Sequence, residues 1–286
     1  MIQWWQAILL GIVEGLSEFL PISSTGHLTV VEKLFKYPID DAGVTAFTAV
    51  IQVGAILAAV LYFRRDIVRL AVGWFRGLFS KEARRDVDYR LGWGVIVGSI
   101  PIGIVGLTLQ KVIEGPLRNL WVVAAALILW SVVLWLADRA SVRQSARRGT
   151  PRGEESMTVM DALILGVWQC VALIPGVSRS GATISGGLFR GIDRVTATRW
   201  SFFLGIPALL AAGGFQAVKA SKSIHETVGW GATAIGTVVA FVVAYASIAW
   251  LLRFVAHNRF TAFVIYRVLA GLAVVGLLVA GVVTAR

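Results

Sequence analysis

The sequence predicts an all-α polytopic membrane protein, built as an inverted-topology repeat with six transmembrane spans plus two re-entrant helical hairpins. Three observations predict it. Apolar residues make up 57% of the chain and charged residues only 15%, with a mean hydropathy of +0.77, far from the roughly 25% charge of a soluble domain. Apolar runs of about 18–25 residues recur, each long enough to cross a hydrocarbon layer as a helix. The chain also repeats itself at an offset of 155 residues: Ala7 pairs with Ala162, Leu10 with Leu165, Gly11 with Gly166, Glu14 with Gln169, Ser23 with Ser178, Gly26 with Gly181, Phe47 with Phe202 and Ile51 with Ile206.

Residues 1–22 are apolar but interrupted by Glu14, Glu18 and Pro21, and residues 23–44 are mixed, so neither stretch makes a clean span. Thr45–Phe63 does, ending at Arg64-Arg65. In the basic loop that follows, Ile67–Phe79 alternates apolar and basic residues at helical spacing, which predicts an interfacial helix with Trp74 and Phe75 at headgroup depth. Leu91–Leu109 and Leu120–Ala137 are the next spans. The basic, polar stretch 138–156 joins the halves, 1–137 and 157–286, of a single membrane domain covering 1–286. Met157–Ile174 is apolar, breaks at Pro175-Gly176 and gives way to polar residues up to Arg199. Trp200–Phe215, Val228–Leu252 and Ala262–Val283 complete the spans.

Interrupted hydrophobic segments at matching positions in two halves are the pattern of an inverted repeat with its site at the repeat interface. The basic residues give the topology. Segments 64–90, 138–156, 190–199 and 253–259 hold 18 of the 27 Lys and Arg, and on one face they satisfy the positive-inside bias. Lys33, Lys36, Lys111, Arg118, Lys219, Lys222 and Arg286 then share the other face. Distributed this way, the net charge of +11 reports orientation, and no nucleic-acid partner is expected. Cys170 is the single cysteine, so no disulfide framework is expected. Met1-Ile-Gln-Trp-Trp has no basic n-region, so no cleaved leader is expected either.

Chemistry concentrates in Glu14-Gly-Leu-Ser-Glu-Phe-Leu-Pro-Ile-Ser-Ser-Thr-Gly-His27 and Pro175-Gly-Val-Ser-Arg-Ser-Gly-Ala-Thr183. Polar groups at membrane depth are costly unless paired or used. Glu14 and Glu18 stand one helical turn apart, a like-charged pair that offers an acid–base candidate unless a cation intervenes, either Arg179 or a divalent ion such as Mg²⁺ or Ca²⁺. Ser23, Ser24, Thr25 and Gly26 follow a Pro break and can form an anion-binding turn. His27, three residues after Ser24, is placed to activate it or to accept a phosphoryl group. Gly176, Ser178, Ser180 and Thr183 repeat the logic around Arg179, whose planar fork suits phosphate. Irregular backbone at this depth must line a protein-covered cavity. A membrane-borne anionic substrate and phosphoryl transfer to water follow, with membrane lipids as neighbours. A transporter or flippase for such a membrane-borne anion shares the inverted-repeat plan and is the alternative.

The two motifs together resemble the bacterial undecaprenyl-diphosphatase family, linked to bacitracin resistance. The resemblance spans the whole chain in motif order, spacing and span count. It implies hydrolysis of undecaprenyl diphosphate to the monophosphate carrier lipid of cell-wall synthesis, a required divalent cation, a homodimer, and a place in the bacterial cytoplasmic (inner) membrane with the site facing the exterior. Its functional positions match Glu14, Glu18, Ser24, His27, Ser178, Arg179 and Thr183. The implied mechanism has Ser24, deprotonated by His27, attacking the terminal phosphorus, with attack by His27 or by water as rivals. The broad lipid-phosphatase superfamily fits less well, because Ser185 stands where its motif needs His, and His225 and His257 fall outside that frame.

Overall fold

The computed structural model describes residues 2–38, 41–219 and 228–285; Lys222, His225 and Arg286 lie outside the described residues. Among them the backbone forms twelve α-helices: α1 Trp4–Ser17, α2 Ser24–Leu34, α3 Ala42–Tyr62, α4 Arg64–Phe79, α5 Val87–Thr108, α6 Gln110–Glu114, α7 Leu120–Arg148, α8 Val159–Cys170, α9 Arg179–Phe189, α10 Arg194–Lys219, α11 Trp230–His257 and α12 Thr261–Val279. Five stretches, Gly43–Tyr62, Val87–Thr108, Leu120–Arg147, Trp230–His257 and Thr261–Val279, are long and apolar enough to cross a membrane. The chain is therefore all-helical, with the make-up of a polytopic membrane protein. The sixth expected span, Trp200–Phe215, lies within α10, a single helix carrying Pro207.

Two helix pairs are too short to span. The 14 residues of α1 reach about 21 Å at the helical rise, short of the ~30 Å hydrocarbon layer, and α2, α8 and α9 are shorter still. Each pair breaks where expected: α1 stops before Pro21, α8 before Pro175-Gly176. The helices that follow start alike. Ser23 and Ser178 both sit at φ 77°, and the Oγ of each accepts from a backbone N–H three residues on, Gly26 at 3.4 Å and Gly181 at 3.2 Å.

Packing repeats the same correspondence. α1 lies along α11 and α8 lies along α5. Gly11 is pressed against the Gly236 carbonyl and Gly166 against the Gly98 carbonyl, so closely that a Cβ on either would overlap the facing backbone. Small residues that let backbones touch are how helices associate where no water is left to exclude.

The stretch 138–156 departs from the expected linker. α7 continues through it to Arg148 and stops only at Gly149, φ 84°, because Ala, Arg, Gln and Ser sustain a helix until a glycine ends it. The remainder is pinned by ion pairs. Glu154 takes Arg69 and Arg199 (3.1 Å), and Arg199 also reaches Asp66 at 2.8 Å. Arg194 holds Asp138 at 2.7 Å, while the fully buried Asp161 accepts from Arg152 at 2.6 Å and from Arg190 at 2.7 Å. Segments 64–90, 138–156 and 190–199 thus meet in one network. Elsewhere, Lys33 Nζ donates to Thr284 Oγ1 at 3.2 Å and Arg118 Nη2 to Thr45 Oγ1 at 2.9 Å. α4 is amphipathic as expected, with Val68, Val72, Phe75 and Phe79 exposed on its apolar side.

Candidate active site

α1 ends by presenting both carboxylates of the first motif. Helical hydrogen bonding carries through to the N–H of Glu18, which donates to the Glu14 carbonyl at 2.9 Å; Pro21, lacking an N–H, then forces the chain to turn. The turn folds Glu18 back over the start of α2. Ser24 Oγ donates to Glu18 Oε2 at 2.6 Å, and Gln52 Nε2 of α3 reaches the same oxygen at 3.3 Å. Arg179, the first residue of α9, brings Nη2 to 3.4 Å from Glu18 Oε1, while its Nη1 donates to the Ser201 carbonyl at 2.5 Å and its Nε is buried without a partner. Arg179, Glu18 and Ser24 form one buried line that joins the two motifs through residues 161 apart, Glu18 and Arg179.

This line borders two cavities. The first, about 140 Å³, is lined from both motifs by Glu18, Ser23, Ser24, Thr25, Gly176, Ser178 and Arg179, with Gln52 and apolar residues. The second, about 200 Å³, shares Ser24, Thr25 and Gln52 and extends past Glu14, Glu32, Thr45 and Thr48 to Arg118. Glu14 is fully buried and neither of its carboxylate oxygens has a hydrogen-bond partner. Bare buried oxygens facing a polar chamber are hard donors of the kind that hold Mg²⁺ or Ca²⁺. Glu18 has less to offer a cation, since both of its oxygens are engaged.

The remaining motif residues pack around the two helix starts rather than lining either cavity. His27 turns away from Ser24: its Nδ1 lies 2.7 Å from the Ser23 carbonyl, its Nε2 lies 2.7 Å from Tyr266 Oη, and its ring stacks on Tyr266. The expected Ser24–His27 pair is therefore replaced by Ser24–Glu18. The start of α2 explains this, because the ring is tied back one turn and leaves toward α12. Ser180 Oγ donates to the Leu20 carbonyl at 3.0 Å, and Thr183 Oγ1 to the Arg179 carbonyl at 2.9 Å. Gly26 faces Val123.

Gln52, Glu32, Tyr266 and Arg267 lie outside both motifs, as do Thr45, Thr48 and Arg118 of the second cavity. Gln52 is an amide inside an uncharged span and Arg267 a guanidinium inside the last one, the same signal that singles out Arg179 in the sequence. Glu32 and Tyr266 carry no such signal. Room for Arg179 comes from Gly205 of α10, where any Cβ would collide with the guanidinium. Gly205→Ala changes no motif residue yet displaces the Arg179 side chain, so kcat/KM is expected to fall by about tenfold or more with little change in melting temperature; steady-state kinetics beside a thermal melt check this.

Comparison with known proteins shows what the chain is similar to. The family model described as bacitracin resistance protein BacA matches residues 7–273. The chain is 57% identical to the undecaprenyl-diphosphatase of Cutibacterium acnes, covering 99% of each chain. It is 53% identical to undecaprenyl-diphosphatase 3 of Frankia casuarinae and 52% identical to the undecaprenyl-diphosphatase of Acidothermus cellulolyticus, covering 98% of each chain in both cases.

Proposed function

The chain belongs to the bacitracin resistance protein BacA family, and from that premise we propose that it hydrolyses undecaprenyl diphosphate to undecaprenyl phosphate and inorganic phosphate in the cavity between its two motifs. The observation that carries the reading is the line Arg179–Glu18–Ser24 on the wall of a cavity that both motifs share. The 3.4 Å Arg179–Glu18 contact is long for a charged pair, which leaves Nη2 and the unpartnered Nε as the donors for an incoming phosphate. Ser178 and the N–H groups at the start of α9 complete the anion cradle.

In the proposed reaction Ser24 Oγ attacks the terminal phosphorus as Glu18 takes its proton. The Oγ–P bond forms, the anhydride P–O bond breaks, and undecaprenyl phosphate leaves. Once Glu18 has released that proton to solvent, water attacks the phosphoserine; Glu18 takes a proton from the water and returns it to Ser24 Oγ as inorganic phosphate leaves. Arg179 offsets the charge on the equatorial oxygens, as cations do in phosphoryl transfer generally. His27, Ser180 and Thr183 act by fixing the two helix starts. A divalent cation, Mg²⁺ or Ca²⁺, is proposed on Glu14, with Glu18 as its second ligand where Arg179 has moved to substrate. When bound it supplies further neutralisation of the diphosphate oxygens. Glu14→Gln is expected to weaken Mg²⁺ or Ca²⁺ binding to the substrate-free protein by at least about an order of magnitude, measured by calorimetry.

We further propose that α10 completes six spans and that the α1–α2 and α8–α9 pairs are re-entrant hairpins of an inverted repeat, with halves near 1–137 and 157–286. The matched Ser23 and Ser178 caps and the matched α1–α11 and α8–α5 crossings support this. The second chamber reaches Arg118, which lies outside the basic segments that hold Arg69, Arg152 and Arg199. By the positive-inside bias this supports a site opening to the exterior of a bacterial cytoplasmic membrane. A homodimer is proposed on the family resemblance. Phosphate release from undecaprenyl diphosphate in detergent tests the central reading. Release that disappears in Glu18→Ala and Arg179→Ala is expected; substrate binding with no release by the unmodified protein would favour the transporter alternative instead.

A further inference from the structure

We infer that Arg267, outside both motifs, is a positioning residue that fixes the separation of the two chain breaks and so the alignment of Arg179 with Ser24. This rests on the reading of the cavity given above. Arg267 is fully buried in α12. Its Nη1 donates to the Pro21 carbonyl at 3.0 Å, its Nη2 to the carbonyls of Gly176 at 2.9 Å and Ala126 at 3.3 Å, and its Nε to Ser131 Oγ at 3.3 Å. Among the described residues no carboxylate pairs with it, so carbonyl dipoles carry the load of a buried charge.

Such a charge is costly to bury, and where this one sits is specific. Pro21 and Gly176 differ by the repeat offset of 155 residues, so one planar fork grips the same point of both breaks. The breaks are where helical hydrogen bonding has stopped, which leaves their carbonyls in need of donors. Ser23 lies two residues beyond one grip and Ser178 two beyond the other. A rigid fork with five N–H donors holds two chains at a set distance; a lysine ammonium, a point charge on a flexible stem, does not. From the other side, Gly176 is held at φ 99° against the Val123 carbonyl, so it cannot follow if the fork is lost without dragging the start of α9. The preceding residue, Tyr266, meets His27, so the same turn of α12 also touches α2.

The test compares purified Arg267→Lys and Arg267→Gln with wild type, and with Ser24→Ala and Arg179→Ala, in phosphate release from undecaprenyl diphosphate, normalised to folded protein by size exclusion and thermal melting. Both Arg267 variants are expected to lose about 10²-fold in kcat per folded molecule, the scale of an ångström-level misplacement, with a much smaller change in KM. Millimolar guanidinium is expected to restore part of the turnover of Arg267→Ala, and ammonium none. Turnover per folded molecule within twofold of wild type in Arg267→Lys and Arg267→Gln overturns the assignment, as does a folded Arg267→Ala protein that guanidinium does not rescue. If neither Arg267→Lys nor Arg267→Gln folds, Ser131→Ala, which frees only Nε, decides: a several-fold lower kcat supports the clamp and an unchanged kcat overturns it. Normal turnover in Ser24→Ala and Arg179→Ala would instead sink the reading of the site, so the two failures are distinguishable.

Discussion

Arg179→Ala is expected to lower kcat by about 10³–10⁵-fold, the range found for cations that meet charge only in the transition state of phosphoryl transfer. The argument lies in how the side chain is held. One terminal nitrogen is fixed to the Ser201 carbonyl, the other touches Glu18 only at 3.4 Å, and Nε has no partner. The guanidinium is anchored at one corner and otherwise ready for an anion. Its removal also leaves Glu18 buried beside Gln52 and Ser24 without its cation, which costs stability as well as rate. Arg179→Lys separates these contributions: it keeps a positive charge near Glu18 but loses the fork, so folding is expected to survive while kcat remains at least about a hundredfold down. Thermal melts and single-turnover phosphate release on both variants check it. A lysine variant with near-normal kcat would show that charge alone suffices.

Removing the proposed nucleophile is expected to have the other large effect. Ser24→Ala should lower kcat by about 10⁴-fold or more, because nothing replaces the covalent step and what is left is water attack in a well-built cavity. Acid quenching during turnover of labelled substrate should trap phosphate on wild-type Ser24 and none on the variant. Glu18→Gln, which keeps the shape and can still meet the Ser24 hydroxyl, is expected to lose about 10²–10⁴-fold, the contribution of a positioned base. His27→Gln should lose much less, because His27 contacts the Ser23 carbonyl and Tyr266 and not Ser24. If His27→Gln were the deeper loss and Glu18→Gln the shallower, the base would be His27 and the 2.6 Å Ser24–Glu18 bond incidental to the chemistry.

Much of this site is legible in the sequence because the rest of the chain is so apolar. In such a background each carboxylate, hydroxyl or guanidinium is an exception, and Pro21 and Pro175 mark where the backbone must leave helix. The two cavity-lining clusters follow from that. The pairing inside the cluster does not. By spacing alone Ser24 and His27 share a helix face, but Ser23 enters α2 at φ 77°, a value that residue spacing does not encode. Glu18, six residues before Ser24, comes back across the turn, and His27 swings to α12. Gln52 and Arg267 arrive by helix packing over long sequence distances, and only their oddity within apolar spans announces them. The stretch 138–156 reads as a linker because it is basic and ends in Gly and Pro. It is nevertheless helical through Arg148, then clamped by Asp161, Glu154 and Asp138, pairings that depend on which helices are neighbours.

The twin conformation of Ser23 and Ser178 carries a consequence for how the protein would evolve. A φ of 77° is comfortable for glycine and strained for serine, at a cost of about 1–3 kcal/mol each. A lineage bred only for heat resistance would drift toward glycine at both positions. It would become sturdier and slower together, since the hydroxyls that the strain keeps in place belong to the cavity wall.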